Sequence, residues 1–339
     1  MKDLNYKLDK AGAIKIHEVF PEACRNALAS ARKVELNYQV PRDIIIAGMG
    51  GSAIGGDLLK EWLPDLSITI ARGYDLPLWA DKNTLVIASS YSGNTVETLS
   101  ALQQAIEKGC MVVGISAGGK LEQVSLKSGF PLIRLPKGYQ PRYAVSHSFF
   151  SLVAVMEKIG LLSKSLSIET SFEALEKMRD ELKHSTPASK NPAKELAKKI
   201  GKHIPLVYSS DPLNSVAMRM KAEINENAKI PAFCNFFPEL NHNEIVGWSS
   251  PLSRQFFPVF LRHGFESEEM KKRIEFTKRL AKKKTSIYEF HARGSTKLSQ
   301  MLTALYFGDF TSLYLALINK VDPTPIKEIE ALKKYLSKK

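Results

Sequence analysis

The sequence predicts an α/β protein built as two doubly wound parallel-sheet domains in tandem. Three observations carry this. Short β-branched runs recur, among them Asp43 to Gly50 (DIIIAGMG) and Asn83 to Ser90 (NTLVIASS). These runs are nearly continuous in apolar residues, as strands covered on both faces are, and helical periodicity fills the stretches between them. At 339 residues the chain has material for two buried cores.

The first half places strands at Asp43 to Gly50, Ser67 to Tyr74, Asn83 to Ser90, Met111 to Ser116 and Phe130 to Leu135. A helix over Tyr143 to Leu161 closes it, with Val145, Phe149, Leu152, Val153 and Met156 apolar at helical spacing. The Ser- and Lys-rich stretch Leu162 to Lys190, around an amphipathic helix near Thr170 to His184, reads as the connection. Expected boundaries are therefore 1–162, 163–190 and 191–339. The second half opens on Asn191-Pro192, an N-cap with proline at the first helical position. It then repeats the pattern: strand Ile204 to Ser209, helix Leu213 to Lys229, strands Ile230 to Phe236 and Phe257 to Arg262, helix Ser267 to Lys283, strand Thr285 to His291. Long helices near Thr296 to Asn319 and Pro325 to Leu336 end the chain.

Composition narrows the class. A hydrophobic share of 44% with 24% charged residues excludes global disorder. The formal charge of +13 sits largely in Lys194 to Lys202, Lys271 to Lys284 and Lys333 to Lys339. These lysines alternate with apolar residues at helical spacing, so they read as solvated helix faces, and no zinc finger, RNP or helix-turn-helix pattern accompanies them. No nucleic-acid partner is expected. The N-terminus MKDLNYKLDK is charged from its second residue, unlike a secretory signal, and no apolar run approaches a bilayer span. Cys24, Cys110 and Cys234 are too scattered for a disulfide framework or a zinc site. A reduced cytoplasmic setting is expected, with no membrane contact.

Two loops follow strands in the first half, where open α/β sheets place ligands. Gly48 to Leu59 (GMGGSAIGGDLL) loosely matches a dinucleotide fingerprint, with Gly48, Gly50 and Ala53 at its three positions. The next strand ends in Ala71-Arg72-Gly73 without the acid NAD requires, while Arg72 would suit a 2′-phosphate. Ser89 to Leu99 (SSYSGNTVETL) is more informative. Ser90, Ser92 and Thr95 supply hydroxyls, Gly93 permits a tight turn, and the following helix offers N–H groups to one phosphate. Asn94 and Glu97 have the spacing of a capping box, which accounts for two of these residues but not for the hydroxyls.

SYSGNTVET after a strand, with GMGGSAIGGD upstream, resembles the sugar isomerase (SIS) domain, which binds phosphorylated sugars. PRYAVSHSFF (Pro141 to Phe150), MKAEINENAKIP (Met220 to Pro231), ELNHNEIVGW (Glu239 to Trp248) and DPTPIKEIEALKKYL (Asp322 to Leu336) narrow the likeness. They resemble the bifunctional phosphoglucose/phosphomannose isomerases, small members of the phosphoglucose isomerase superfamily with two SIS domains. The likeness implies two flavodoxin-like three-layer αβα domains. It also implies metal-independent interconversion of glucose 6-phosphate and mannose 6-phosphate with fructose 6-phosphate through a cis-enediolate.

That chemistry needs a base over two adjacent carbons, help in opening the sugar ring, and positive charge for the intermediate. The likeness assigns the base to Glu226, with Glu223 as its competitor on the same helix. It assigns ring opening to His242, contributed by the neighbouring subunit of a homodimer, and to Lys333, next to Lys334. Arg142 would stabilise the enediolate, its permanently charged fork suiting an oxyanion. Gly51 and Ser52 would contact substrate, and Ser90, Ser92 and Thr95 the phosphate. Thr324 is a candidate for pocket width. No cofactor and no metal is expected, and the histidines lack ligand spacing. Three other readings stand beside this one, the first being another SIS isomerase acting on pentulose or aminosugar phosphates, against which the C-terminal motifs argue. A non-catalytic phosphosugar-binding SIS protein would need only Ser90, Ser92 and Thr95. An NADP-dependent dehydrogenase would use Gly48, Gly50 and Arg72.

Overall fold

The computed structural model describes residues 4–163 and 166–336. The chain divides into two compact units, one made of Val19–Ala174 and Gly294–Met301, the other of Met1–Glu18, Leu175–Arg293 and Leu302–Lys339. These units differ from the contiguous boundaries expected at 162 and 191. Residues 4–18 group with the later part of the chain, to which hydrogen bonds tie them. Glu18 accepts from the backbone N–H of His184 and bonds its ring at 2.7 Å, and Tyr306 donates to the His17 carbonyl at 2.5 Å. The expected connector is itself divided, within the helix Leu166–Leu182.

The first unit holds a five-stranded sheet: β1 (Asp43–Ala47), β2 (Ile68–Ala71), β3 (Thr84–Ser89), β4 (Met111–Ser116) and β5 (Leu132–Arg134). Every pair is parallel, in the order β2-β1-β3-β4-β5. This is the flavodoxin-like strand order. All six residues of β3 are buried, as an interior strand covered on both faces must be. Ile45, Ala47, Val86 and Ala88 pack with Ala101, Leu102 and Ala105 of the helix Val96–Glu107. The helix Phe20–Ala31 was not expected. It buries Phe20, Cys24, Ala27, Leu28 and Ala31 along one face, with Pro21 in its first turn.

The second unit holds β6 (Ile204–Ser209), β7 (Phe233–Phe236), β8 (Phe256–Arg262) and β9 (Tyr288–His291). These too are parallel, in the order β7-β6-β8-β9, which repeats the order of the first four strands of the other sheet. Asn191 caps the helix Pro192–Ile200 by accepting from the Lys194 N–H at 3.0 Å. Both expectations for this half, α/β alternation and a parallel sheet, hold.

Two expectations require correction. The helix Lys297–Ile318 is long and apolar enough to cross a membrane, yet 94% of its most apolar window is buried inside the protein. It is a core helix. Lys194 and Lys278 are buried rather than solvated. The Lys194 ammonium donates to the His184 and Thr186 carbonyls at 2.6 and 2.8 Å, and Lys278 pairs with Glu275 at 2.7 Å.

Candidate active site

In the first unit β1 connects onward to β2 on one side while β3 lies on the other, so their C-terminal ends flank the switch point where such sheets bind ligands. After β1 the chain makes a tight turn, Gly50–Ser52, and after β3 it makes the Ser90–Thr95 loop. The two loops are tied together. The Ser52 hydroxyl accepts from the Tyr91 N–H at 3.1 Å, and Ser89 donates to the Ser52 carbonyl at 3.2 Å. Within the second loop, the Ser90 and Thr95 hydroxyls lie 2.8 Å apart and the Asn94 N–H donates to the Ser92 hydroxyl at 3.2 Å. Gly93 has φ +67°, and a Cβ there would lie 1.7 Å from the Gly118 carbonyl oxygen. Only glycine fits.

The expected Asn94/Glu97 capping box does not form. Thr95 is the N-cap of the helix Val96–Glu107, and it makes no side-chain cap bond. The Asn94 carboxamide instead accepts from the Lys120 N–H and donates to the Ser92 carbonyl, both at 3.1 Å. Among the described residues the N-cap side chain therefore leaves this helix N-terminus uncapped, which suits an incoming anion. Arg142, in the turn Pro141–Ala144, packs its backbone on Gly51: a Cβ there would lie 2.8 Å from the Pro141 oxygen and 3.0 Å from the Arg142 nitrogen. The Arg142 side chain is buried, its guanidinium 4.5 Å from the Tyr143 ring centre. The structure thus brings Gly51, Ser52, Ser90, Ser92, Thr95 and Arg142 to one edge of one sheet.

Arg72 does not stand ready for a 2′-phosphate, because its guanidinium is paired with Asp57. The corresponding loop of the second unit, after β8, carries its own anion. Glu266 accepts from Arg262 at 2.6 and 2.8 Å and from the His263 N–H at 3.2 Å. Hydroxyls in one unit and a self-paired carboxylate in the other explain why only the first loop has the make-up of a phosphate cradle.

In the second unit the helix expected over Leu213 to Lys229 is α-helical from Asn214 to Glu223 and then widens into a π-helical turn, Ile224–Ala228. Such turns cluster at functional sites. Glu226 sits in this turn and lines a cavity of about 830 Å³ with Lys221, Asn225, Lys229, Phe233 and Ile326. Glu223 is committed elsewhere. It is buried, lies 3.1 Å from the Arg219 guanidinium, and accepts from Asn227 at 2.9 Å. Arg219 also makes a two-pronged pair with Asp309 at 2.8 and 2.9 Å. Burial works to lower the Arg219 pKa, but Asp309 and Glu223 outweigh it and hold the guanidinium charged. The structure therefore separates the two candidate bases by their surroundings.

Lys333 lies on the exposed helix Lys327–Leu336, whose first residues, Lys327 to Ile329, line the cavity; Lys333 itself does not. Thr324 donates its N–H to Asp322 at 3.0 Å, between the lining residues Asp322 and Pro325. His242 ends the turn Glu239–His242, exposed and not among the residues lining the Glu226 cavity. Its segment is fixed two residues on: Glu244 accepts from Tyr208 at 2.5 Å and from Asn235 at 2.6 Å, and Trp248 donates to the Tyr208 hydroxyl at 3.2 Å. Sequence reasoning missed Asn227, Ser312 and this anchor, since only the fold shows which polar residues face inward. Among the described residues no cluster of three or more His, Cys, Asp or Glu side chains is arranged to hold a metal ion.

Residues 189–336 match the bacterial phospho-glucose isomerase C-terminal SIS domain. Across 94% of this chain and 96% of its own length, a bifunctional phosphoglucose/phosphomannose isomerase of Caldicellulosiruptor bescii is 39% identical. One from Thermoplasma acidophilum is 38% identical, covering 87% of this chain and 90% of its own. Among solved structures, a glucose-6-phosphate isomerase like protein from Thermus thermophilus superposes with a TM-score of 0.66, 19% identity and 98% and 99% coverage. Identity at this level over nearly the whole length makes the chain a member of the bifunctional phosphoglucose/phosphomannose isomerase family.

Proposed function

We propose that this chain interconverts glucose 6-phosphate and mannose 6-phosphate with fructose 6-phosphate, by metal-independent proton transfer through a cis-enediolate. The observation that carries the reading is the contrast between Glu226, on a cavity wall, and Glu223, locked against Arg219. A carboxylate facing a cavity can take a proton from one carbon and return it to its neighbour. A buried and paired one cannot. Glucose and mannose 6-phosphates differ only at C2, which is planar in the enediolate, so one base serves both. The names of the full-length relatives support both sugars.

In this reading Ser90, Ser92 and Thr95 hold the phosphate, Gly51 and Ser52 contact the sugar, and Arg142 meets the enediolate charge. Lys333 assists ring opening, as does His242 from a second copy of the chain. The exposed position of His242 supports its acting on a partner.

The test is turnover of both sugar phosphates with EDTA present, for the wild type and Glu226→Gln. Activity on both that survives EDTA and drops by about 10²–10⁴-fold in the variant is expected. A folded wild type that binds sugar phosphate but turns over neither sugar would overturn the reading in favour of a binding protein.

A further inference from the structure

The segment Glu239 to Glu244 (ELNHNE) commits its side chains almost wholly to holding itself in place. Leu240 is buried. The Asn241 carboxamide donates to the Thr277 hydroxyl at 2.9 Å, which ties this end to the helix Glu268–Lys282. Asn243 donates to the Glu239 carboxylate at 3.0 Å and accepts from the Glu244 N–H at 2.5 Å. The Glu244 carboxylate accepts from the Tyr208 hydroxyl and from the Asn235 carboxamide. These two donors are register partners on β6 and β7, near the C-terminal ends where such sheets place ligands. Burial first, and the Glu244 charge second, push the Tyr208 pKa up, so its hydroxyl keeps the proton it donates. His242 is the exception: exposed, and among the described residues engaged in no hydrogen bond or ion pair.

We propose that Glu244 is a positioning residue that, by bridging Tyr208 and Asn235, fixes the place from which His242 reaches the sugar ring. The assignment rests on the reading of His242 as a residue that assists ring opening. A group that moves a proton must come within about 2.6–3.2 Å of its target, and a displacement of about 1 Å costs on the order of 10²-fold in rate. His242 stands on a 3-10 turn outside the sheet and the long helices, so its place depends on what anchors that turn. A carboxylate holding two donors from adjacent strands is directional as well as strong, which apolar packing is not. The turn thus presents one imidazole to solvent on a braced support, as a residue acting on a separate molecule requires.

The test compares Glu244→Gln with His242→Ala and the wild type, and adds Tyr208→Phe in case Glu244→Gln does not fold. The rate measured is exchange between the α and β anomers of glucose 6-phosphate, by NMR saturation transfer. Opening and reclosing the ring exchanges the anomers without moving a carbon-bound proton, so this rate isolates the step assigned to His242. Calorimetry then gives the Kd of glucitol 6-phosphate, an acyclic ligand that needs no opening. Glu244→Gln is expected to slow anomer exchange by roughly 10- to 100-fold, in the same direction as His242→Ala, with the glucitol 6-phosphate Kd unchanged. Unchanged exchange in folded Glu244→Gln or, failing that, in Tyr208→Phe would overturn the proposal. So would an equal loss of exchange and of glucitol 6-phosphate binding, which marks general damage to the site. Slowed exchange in His242→Ala but not in Glu244→Gln removes the positioning assignment alone. Undiminished exchange in His242→Ala removes the reading of His242 and the assignment with it.

Discussion

At the scale of single residues, the proposed phosphate loop depends most on Gly93. Its φ of +67° and the 1.7 Å approach of the Gly118 oxygen leave no room for a methyl group. Gly93→Ala must therefore displace the Ser92–Asn94 backbone, and with it the hydroxyls beside the helix N-terminus. The expected outcome is loss of the thermal shift that sugar phosphate produces in the wild type. A variant with an undiminished shift would place the phosphate elsewhere. Gly93 was legible as a turn residue because a glycine among hydroxyls after an apolar strand has few other uses. Its neighbour Asn94 was misread, because the same spacing serves a capping box or a loop clamp. Only the position of the Lys120 N–H decides between them.

At the scale of elements, the helix from Asn214 onward shows what periodicity reveals and what it hides. Its extent was readable from the sequence, since an apolar face at helical spacing marks it. The widening into a π turn was not, because one extra residue per turn over five residues leaves no periodic trace. The core beneath it is polar, with Arg219 between Asp309 and Glu223. Arg219→Met leaves two buried carboxylates without their cation. A loss of about 3–5 kcal/mol in urea unfolding is expected; a change under about 1 kcal/mol would show that the network contributes little.

The cluster around β8 and β9 behaves differently because it is half-exposed. Burial works to raise the Glu289 pKa, but bonds from Lys278, His291 and Arg262 outweigh it and hold the carboxyl at about 2. A depressed folded-state pKa gives stability that is present above the unfolded value of about 4.3 and is lost as pH falls toward 2. The stability gap between wild type and Glu289→Gln should therefore be widest near neutral pH and close across that window. Urea midpoints at several pH values measure it, and a gap independent of pH would contradict the assignment.

At the scale of the whole molecule, two sheets share one strand order while their equivalent loops have diverged. The parallel sheets were legible, because buried strands must be nearly all apolar. The division into units was not, because Met1–Glu18 and Gly294–Met301 group with residues distant in sequence. The candidate site was legible where motif and chemistry coincide, at the proposed phosphate residues Ser90, Ser92 and Thr95 and the proposed base Glu226. It was hidden where polar residues act from within, at Asn227 and Tyr208. If His242 serves a partner copy, Glu226→Gln and His242→Ala variants, each nearly inactive, should regain activity when unfolded and refolded together. Each hybrid dimer then has one site with both residues intact. No recovery, with hybrids shown to form, would place His242 in its own chain's site.

In the proposed reaction Glu226 moves a carbon-bound proton by way of an enediolate. The direct measurement is the isomerisation of glucose 6-phosphate in heavy water, followed by NMR, for the wild type and Glu226→Gln. Deuterium entering at C1 of the fructose 6-phosphate and at C2 of recovered aldose is expected with the wild type, and neither label nor product on the same timescale with the variant. Undiminished turnover or labelling in the folded variant would contradict it.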